Sequence, residues 1–432
     1  MNTAAFHTLG CKVNQYDTQA MLELFRAAGY AIVPFSEKAD VYVLNTCTVT
    51  GTGDKKSMQI TRRLRREHPE SEIVLCGCLA QRKGEELLAT GARLILGTQR
   101  RGEVVTLLEQ AVRENRQICA VDALTTATPF ETLSIADQEE HTRAAMKIQE
   151  GCNNHCTYCI IPSVRGPIRS RSLADIAAEA KRLADAGFKE IVLTGIHLSS
   201  YGRDLADGST LLDAIQAVQD TEGILRIRLG SLEPTIATKE FSARLAQMDK
   251  VCPQFHLALQ SGSDTVLARM ARRYNTHMYL TAVDNLRAAF PHAAFTTDVL
   301  TGFPGETEQE YQETRRMIET VGFAKIHVFP YSQREGTKAA VMPGQLSTAL
   351  KEQRARELIA LGETTAHAYQ ESWLGQTAPV LLEDRDAEGR WLGYTPEYIQ
   401  VSLADCPACR SGAMLNLRLT ACTPEGMTGE LE

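Results

Sequence analysis

The sequence predicts an α/β protein in three parts: an open parallel sheet, an incomplete parallel barrel and a small terminal β-barrel. Three observations predict it. Short apolar runs alternate with helical periods as far as about Gln370, as in parallel sheets with crossover helices. That alternation breaks once, from Leu124 to Thr142, where polarity is mixed and no period holds. After about Trp373 the helical periods stop and β-rich runs separated by turn residues take over. The expected divisions are residues 1–123, a linker at 124–142, residues 143–370 and residues 371–432.

In the first part, AAFHTLGC, DVYVLNTC and EIVLCGC are apolar runs that end in a cysteine, Cys11, Cys47 and Cys78. Helical stretches follow each. Three cysteines therefore lie just past the C-terminal ends of three strands, the edge where doubly wound sheets bind ligands. Taken singly, each is a plausible buried small hydrophobe. Cys76 lies two residues before Cys78 and on the opposite face of an extended segment, so Cys78 is the better ligand candidate.

The second part carries six strand-like runs, AAMKIQEG, KEIVLTGI, ILRIRLGS, QFHLALQS, AAFTTDVLTGF and AKIHVFPY, with helices between them. Ser172 and Thr307 begin capping boxes with Asp175 and Glu310. Leu173, Ile176, Ala177, Ala180, Leu183 and Ala184 share one helical face; so do Tyr311, Thr314, Met317, Ile318 and Val321. Six units make three-quarters of an eight-unit barrel. Such a barrel keeps a lateral slot, which suits a macromolecular substrate. Polar residues at barrel-strand ends face the site, so Gly195 of TGIHLSSYG, Glu233, Gln260, Ser261 and Asp298 are candidate cofactor-binding positions, with Arg203 and Asn14 behind them. Each is equally a candidate buried hydrogen-bonding group or cap. In the last part, APVLLED, GYTPEYIQVSL and MLNLRLTAC read as strands of a barrel, a form that often binds oligonucleotides.

The chain has 432 residues, 44% hydrophobic and 23% charged, with a net charge of -7. No apolar run approaches the ~18 residues of a membrane helix, and MNTAAFHTLGC has no secretory pattern. A cytoplasmic monomer is the expectation. Overall charge does not favour nucleic acid, but KKSMQITRRLRREHP (Lys55 to Pro69) has six Lys/Arg and RGPIRSR (Arg165 to Arg171) has three Arg. The first run is also what a solvated helix face looks like. The second directly follows a cysteine cluster, so Arg165, Arg169 and Arg171 are expected to bind phosphates.

That cluster is GCNNHCTYCIIP, with Cys152, Cys156 and Cys159 in a C-x3-C-x2-C pattern. Zinc sites want four ligands, and His155, inside the loop, is badly placed to supply the fourth. The Cys406–Cys409 pair has no second pair nearby, and Cys422 stands alone. A 4Fe-4S cluster on three cysteines keeps one iron open to a small molecule. The motif, the aromatic Tyr158 and the six-unit pattern together resemble the radical S-adenosylmethionine superfamily. The resemblance implies that this cluster cleaves S-adenosylmethionine to a 5′-deoxyadenosyl radical and that Tyr158 packs near the adenine. Cys11, Cys47 and Cys78 then become candidates for a second 4Fe-4S cluster.

TLGCKVNQYDT, VLNTCTVT, GCLAQ, GCNNHCTYCIIPSVRGPIRSRS, LTGIHLSSYG, LQSGSD, TGFPGET and FPYSQREGT occur in the order found in methylthiotransferases, which the whole chain resembles. That resemblance implies a terminal TRAM barrel that binds RNA. TLGCKVNQYDT, RGPIRSR and GYTPEYIQV are most similar to the branch that adds a methylthio group to carbon 2 of N6-threonylcarbamoyladenosine at position 37 of tRNA. Implied with it are two 4Fe-4S clusters, S-adenosylmethionine, sulfide or polysulfide on the first cluster, and a flavodoxin-like one-electron reductant. The competing expectations are an aspartate of ribosomal protein S12 as substrate, an electron carrier with no catalysis, and sulfur insertion into a small molecule. Cys76, Cys406, Cys409 and Cys422 have no place in the motif.

Overall fold

The structure is a computed structural model that describes residues 2–135 and 142–432. Part of the expected linker, residues 136–141, lies outside the described residues. No described helix is long and apolar enough to cross a membrane.

The first part is a six-stranded sheet built from β1 (Thr3–Thr8), β2 (Ala31–Ile32), β3 (Val41–Thr46), β4 (Glu72–Gly77), β5 (Leu94–Leu96) and β6 (Ile118–Ala120). Its order is β2-β1-β3-β4-β5-β6, with every pairing parallel. Val41, Val43, Val74 and Leu94 pack on one face; Tyr42, Leu44, Ile73, Leu75 and Ile95 pack on the other. A sheet covered on both faces requires such continuous apolar strands. The period also decides the fate of Cys76. It points into the first of these cores, with Sγ 4.0 Å from Met21 Sδ, while Cys78 opens the helix Cys78–Lys83 at the sheet edge.

The second part contains β7 (Arg143–Glu150), β8 (Arg169–Ser170), β9 (Glu190–Gly195), β10 (Arg226–Leu229), β11 (Gln254–His256), β12 (Ala294–Thr301) and β13 (Lys325–Pro330). Six of these run parallel in the order β7-β9-β10-β11-β12-β13, the middle join being made by single bridges such as Leu232 to Leu257. The two-residue β8 pairs antiparallel on the free edge of β7. Among the described residues no pairing returns from β13 to β7, so the barrel is open. Ser172 and Thr307 do cap their helices, Leu173–Asp185 and Glu308–Val321. One expected core position is corrected: Ala177 is exposed, and Glu179 is buried instead because its carboxylate meets Arg171 and Arg182.

A 24-residue helix, Thr348–Glu371, leads to the terminal barrel. The closed barrel comprises β14 (Thr377–Arg385), β15 (Trp391–Tyr394), β16 (Gln400–Leu403), β17 (Met414–Cys422) and β18 (Met427–Leu431), in the order β14-β15-β16-β18-β17. The run GYTPEYIQVSL is therefore two strands, split by a turn in which Tyr398 has φ +72. That turn docks onto the central part. Arg226 donates to the carbonyls of Tyr394 (2.7 Å) and Pro379 (2.6 Å), and Arg228 to that of Pro396 (2.8 Å).

Candidate active site

Cys152, Cys156 and Cys159 lie on the loop after β7. Neighbouring backbone holds that loop: Cys152 N donates to Gly166 O at 3.0 Å, and Thr157 N to Met270 O at 3.0 Å. The three thiols face a cavity of about 140 Å³ that Tyr158, Asn154, His197, Glu233 and Arg272 also line. Asn154 N lies 3.4 Å from Cys152 Sγ, and Arg272 Nη1 3.3 Å from Cys156 Sγ. Burial pushes the Cys152 thiol up, and that of Cys159 up to about 12. A bound cation is what makes such groups give up their protons.

Glu233 is the anionic side chain of this cavity. Its Oε2 is 2.9 Å from His197 Nε2, and its Oε1 is 3.4 Å from Arg272 Nη2. Burial alone would raise its carboxyl; the His197 hydrogen bond and charge, with Arg272, outweigh it and hold the group below the ordinary glutamate range. His197 is itself placed by Gln149, whose Oε1 accepts from His197 N at 2.7 Å. Gly195 leaves room for that glutamine, since a Cβ there would lie 2.8 Å from Gln149 Cβ.

Cys11, Cys47 and Cys78 meet at the edge of the first sheet. Cys11 caps the helix Lys12–Ala27 and is exposed; Cys47 and Cys78 are buried. Glycine makes the approach possible. Gly10 has φ +104, and a Cβ on it would sit 3.0 Å from Cys47 Sγ; Gly77 has φ +89, and its Cβ would strike Asn45 Oδ1 at 2.3 Å. Asn14 joins two of the cysteine loops by donating to Leu9 O (2.7 Å) and Thr46 O (3.1 Å). Burial pushes the Cys78 thiol up to about 11, against the pull of Arg165, whose Nε donates to Cys78 Sγ at 3.1 Å.

That contact corrects the expectation for the arginines. Arg165, Arg169 and Arg171 are all buried and do not face a phosphate backbone. Arg165 pairs with Asp17 (3.2 Å) and Glu150 (3.0 Å) and also donates to Asn14 Oδ1. Arg169 donates to Arg165 O at 3.1 Å; Arg171 reaches Tyr16 and Glu179. The acidic partners come from distant segments, so the run RGPIRSR could not reveal them. Asp17 also meets Lys147 (2.6 Å) and Arg101 (2.9 Å), and Arg101 meets Glu131 (2.7 Å). This buried network joins the first sheet to the barrel.

The remaining candidates divide. Ser261 is fully buried and is corrected: its hydroxyl faces Thr314 of an outer helix at 3.2 Å and lies off the cavity. Gln260, with φ +63, and Asp298, 3.5 Å from His256, also lie outside the cavity lining. Arg203 is exposed. Cys406 and Cys409 form a disulfide packed against the core of the terminal barrel. Asn154, His197 and Arg272 escaped the sequence reading because each belongs to a different loop and becomes notable only around Glu233.

The two triads are close neighbours. Cys78 packs in one apolar cluster with Ile160, Ile161 and Val164; Ile160 follows Cys159 directly, and Ile161 lines the cysteine cavity. Among the described residues no three His, Cys, Asp or Glu side chains are grouped to hold a single metal ion. Thiolates are the soft donors that an iron-sulfur cluster takes, so three of them on the loop after β7 fit such a group.

The chain matches the uncharacterized protein family UPF0004 over residues 3–97 and the radical SAM superfamily over residues 146–318. It is 43% identical over 406 residues to the threonylcarbamoyladenosine tRNA methylthiotransferase MtaB of Bacillus subtilis, covering 93% of this chain and 90% of that protein. The chain belongs to the radical S-adenosylmethionine methylthiotransferases. This methylthiotransferase is also 34% identical over 453 residues to the tRNA-2-methylthio-N(6)-dimethylallyladenosine synthase of Mycobacterium bovis, covering 99% and 86% of the two chains. Its fold is similar to that of the radical S-adenosylmethionine methyltransferase TsrM from Kitasatospora setae, with a TM-score of 0.56 at 14% identity over 79% of this chain and 77% of that one. As a radical S-adenosylmethionine enzyme, the methylthiotransferase uses an iron-sulfur cluster and S-adenosylmethionine.

Proposed function

We propose that this methylthiotransferase adds a methylthio group to carbon 2 of N6-threonylcarbamoyladenosine at position 37 of tRNA. The observation that carries the reading is the packing of Cys78 against Ile160, the residue after Cys159, which supports two triads working next to each other. The higher identity to a relative named for this nucleoside than to one named for dimethylallyladenosine supports the branch.

On this reading Cys152, Cys156 and Cys159 hold one 4Fe-4S cluster and Cys11, Cys47 and Cys78 hold a second, which carries the sulfur. Bound together with S-adenosylmethionine, these groups supply a radical able to act on an unactivated C–H position and a methylated sulfur to replace that hydrogen. The chain's own groups do the rest. Glu233, kept ionised by His197 and Arg272, provides a counter-charge for the methionyl ammonium, and Tyr158 an apolar surface for the adenine. Ile160 and Ile161 keep water from the space between the triads. Asn14 and Arg165 position Cys11, Cys47 and Cys78. Residues 1–123 carry the sulfur site, 143–370 the radical site, and 371–432 a TRAM-like RNA-binding barrel. An anticodon loop presents unstacked bases, so a base enters at little cost. An external flavodoxin-like reductant delivers one electron to a monomer.

The test is anaerobic reconstitution of wild type and of a Cys152/Cys156/Cys159→Ala variant, followed by reductant, cofactor and tRNA bearing threonylcarbamoyladenosine. The expected result is about eight irons in wild type and about four in the variant, with a methylthio nucleoside from wild type alone. Four irons in wild type would remove the sulfur site. Full clusters with product on ribosomal protein S12 and none on tRNA would overturn the substrate.

A further inference from the structure

With Arg165, Arg169 and Arg171 buried, the cationic surface for an RNA substrate must lie elsewhere. Helix Gly51–Glu67 carries Lys55, Lys56, Arg62, Arg63, Arg65 and Arg66. Arg65 is turned onto the carbonyls of Pro69, Ser71 and Gly91, whereas the other five are exposed. Lys55, Met58, Gln59, Arg62, Arg63 and Arg66 recur at helical spacing on one side and line a groove of about 550 Å³ together with Asp54, whose carboxylate is taken up by Arg82 and Arg334.

Compensation on this face is thin. Arg63 and Arg66 share Glu67, at 3.8 and 2.8 Å, and among the described residues no ion pair engages Lys55, Lys56 or Arg62. The field reaches inward: burial, then the charges of Lys56 and Arg63, hold the His7 imidazole below its ordinary range. On a chain of net charge -7 this is a local reversal of sign.

The helix starts four residues after Cys47, and its first turn is fastened to the central barrel. Gly51 N donates to Ser332 Oγ at 3.2 Å, and Arg334 pairs with Asp54 at 2.7 Å. At ~1.5 Å rise per residue, Lys55 to Arg66 spans ~16 Å along the helix, a length that faces several phosphates.

We propose that Lys55, Arg62, Arg63 and Arg66 form a phosphate-binding track that holds the RNA backbone while one base enters the site. This deepens the proposed function and rests on its RNA substrate. Charge complementarity selects the occupant: a polyanion matches a row of four exposed cations in which Arg63 and Arg66 share the single carboxylate of Glu67, and an apolar partner would not.

The experiment uses the full-length reconstituted protein and compares wild type with a Lys55→Gln/Arg62→Gln/Arg63→Gln/Arg66→Gln variant. The Kd for tRNA is measured across a potassium chloride series, alongside the melting temperature and iron content. If the track is real, the variant's Kd rises at least ~10-fold at low salt and the slope of log K against log salt flattens by roughly 0.7–0.9 per lost contact. Melting temperature and iron stay at wild-type values. An Arg62→Lys/Arg63→Lys/Arg66→Lys variant keeps the wild-type slope, because phosphate contact needs charge. An unchanged Kd and slope in the Gln variant overturn the track. So does loss of binding to an acidic protein substrate with tRNA binding intact. The two readings fail separately: wild type that binds tRNA with a steep salt slope but makes no methylthio nucleoside defeats the substrate assignment and leaves the track standing.

Discussion

Replacing Asp17 by Asn tests the buried network that joins the two triads. Asp17 accepts from Lys147 at 2.6 Å and Arg165 at 3.2 Å, lies 2.9 Å from Arg101 Nη2 as an ion pair, and is fully buried. Arg101, Lys147 and Arg165 face the carboxylates Asp17, Glu131 and Glu150, so the set is balanced. Asn conserves the shape but removes one negative charge and turns an amide donor toward cationic donors. An uncompensated buried charge of this kind costs about 3–5 kcal/mol. For a unit of this size that corresponds to a melting temperature lower by roughly 6–20 °C. The assay is thermal unfolding of the cluster-free protein at pH 7, followed by iron analysis after reconstitution. Iron at the Cys11/Cys47/Cys78 site should fall as well, because Arg165 loses a partner that aims it at Cys78. Adding Lys147→Met to Asp17→Asn should recover ~0.5–3 kcal/mol through the coupling of neighbouring sites. A melting temperature within a degree of wild type would refute the reasoning. Acid should act in the same direction. The Asp17 carboxyl is held well below its ordinary value, because Arg101, Lys147 and Arg165 outweigh burial. Its contribution is therefore complete above the unfolded value of ~3.9 and is lost as pH falls below it.

Gly10→Ala should strain the backbone by ~1–2 kcal/mol or more and displace Cys47; iron analysis should show loss confined to the sulfur site, with cofactor cleavage retained. Glu233→Gln should keep full iron content and weaken S-adenosylmethionine binding about 10-fold, as expected for ~1.4 kcal/mol of lost charge-assisted hydrogen bonding, read by calorimetry on the reconstituted protein; unchanged affinity would remove Glu233 from the cofactor site. Cys406→Ser/Cys409→Ser should leave iron content untouched, since that pair sits in the terminal barrel; a loss of iron would assign those thiols to a cluster.

Much of this protein was determined by sequence alone. The three-part division follows from hydrophobic period, which is a local property. The C-x3-C-x2-C loop was legible because three thiols within eight residues have few chemical uses. The placement of Cys11, Cys47 and Cys78 is legible because each follows an apolar strand, and the parity of an extended segment turns Cys76 into the core and away from Cys78. Charge could not be read in the same way. RGPIRSR and KKSMQITRRLRREHP look alike in one dimension, yet the first is buried and the second exposed. Whether a cation faces water depends on where its counter-charges fall, and Asp17, Glu150 and Glu179 reach those arginines only through packing. Tertiary structure likewise decided the surroundings of Glu233. Asn154, His197 and Arg272 come from separate loops, and strand pairing alone brings them to one carboxylate.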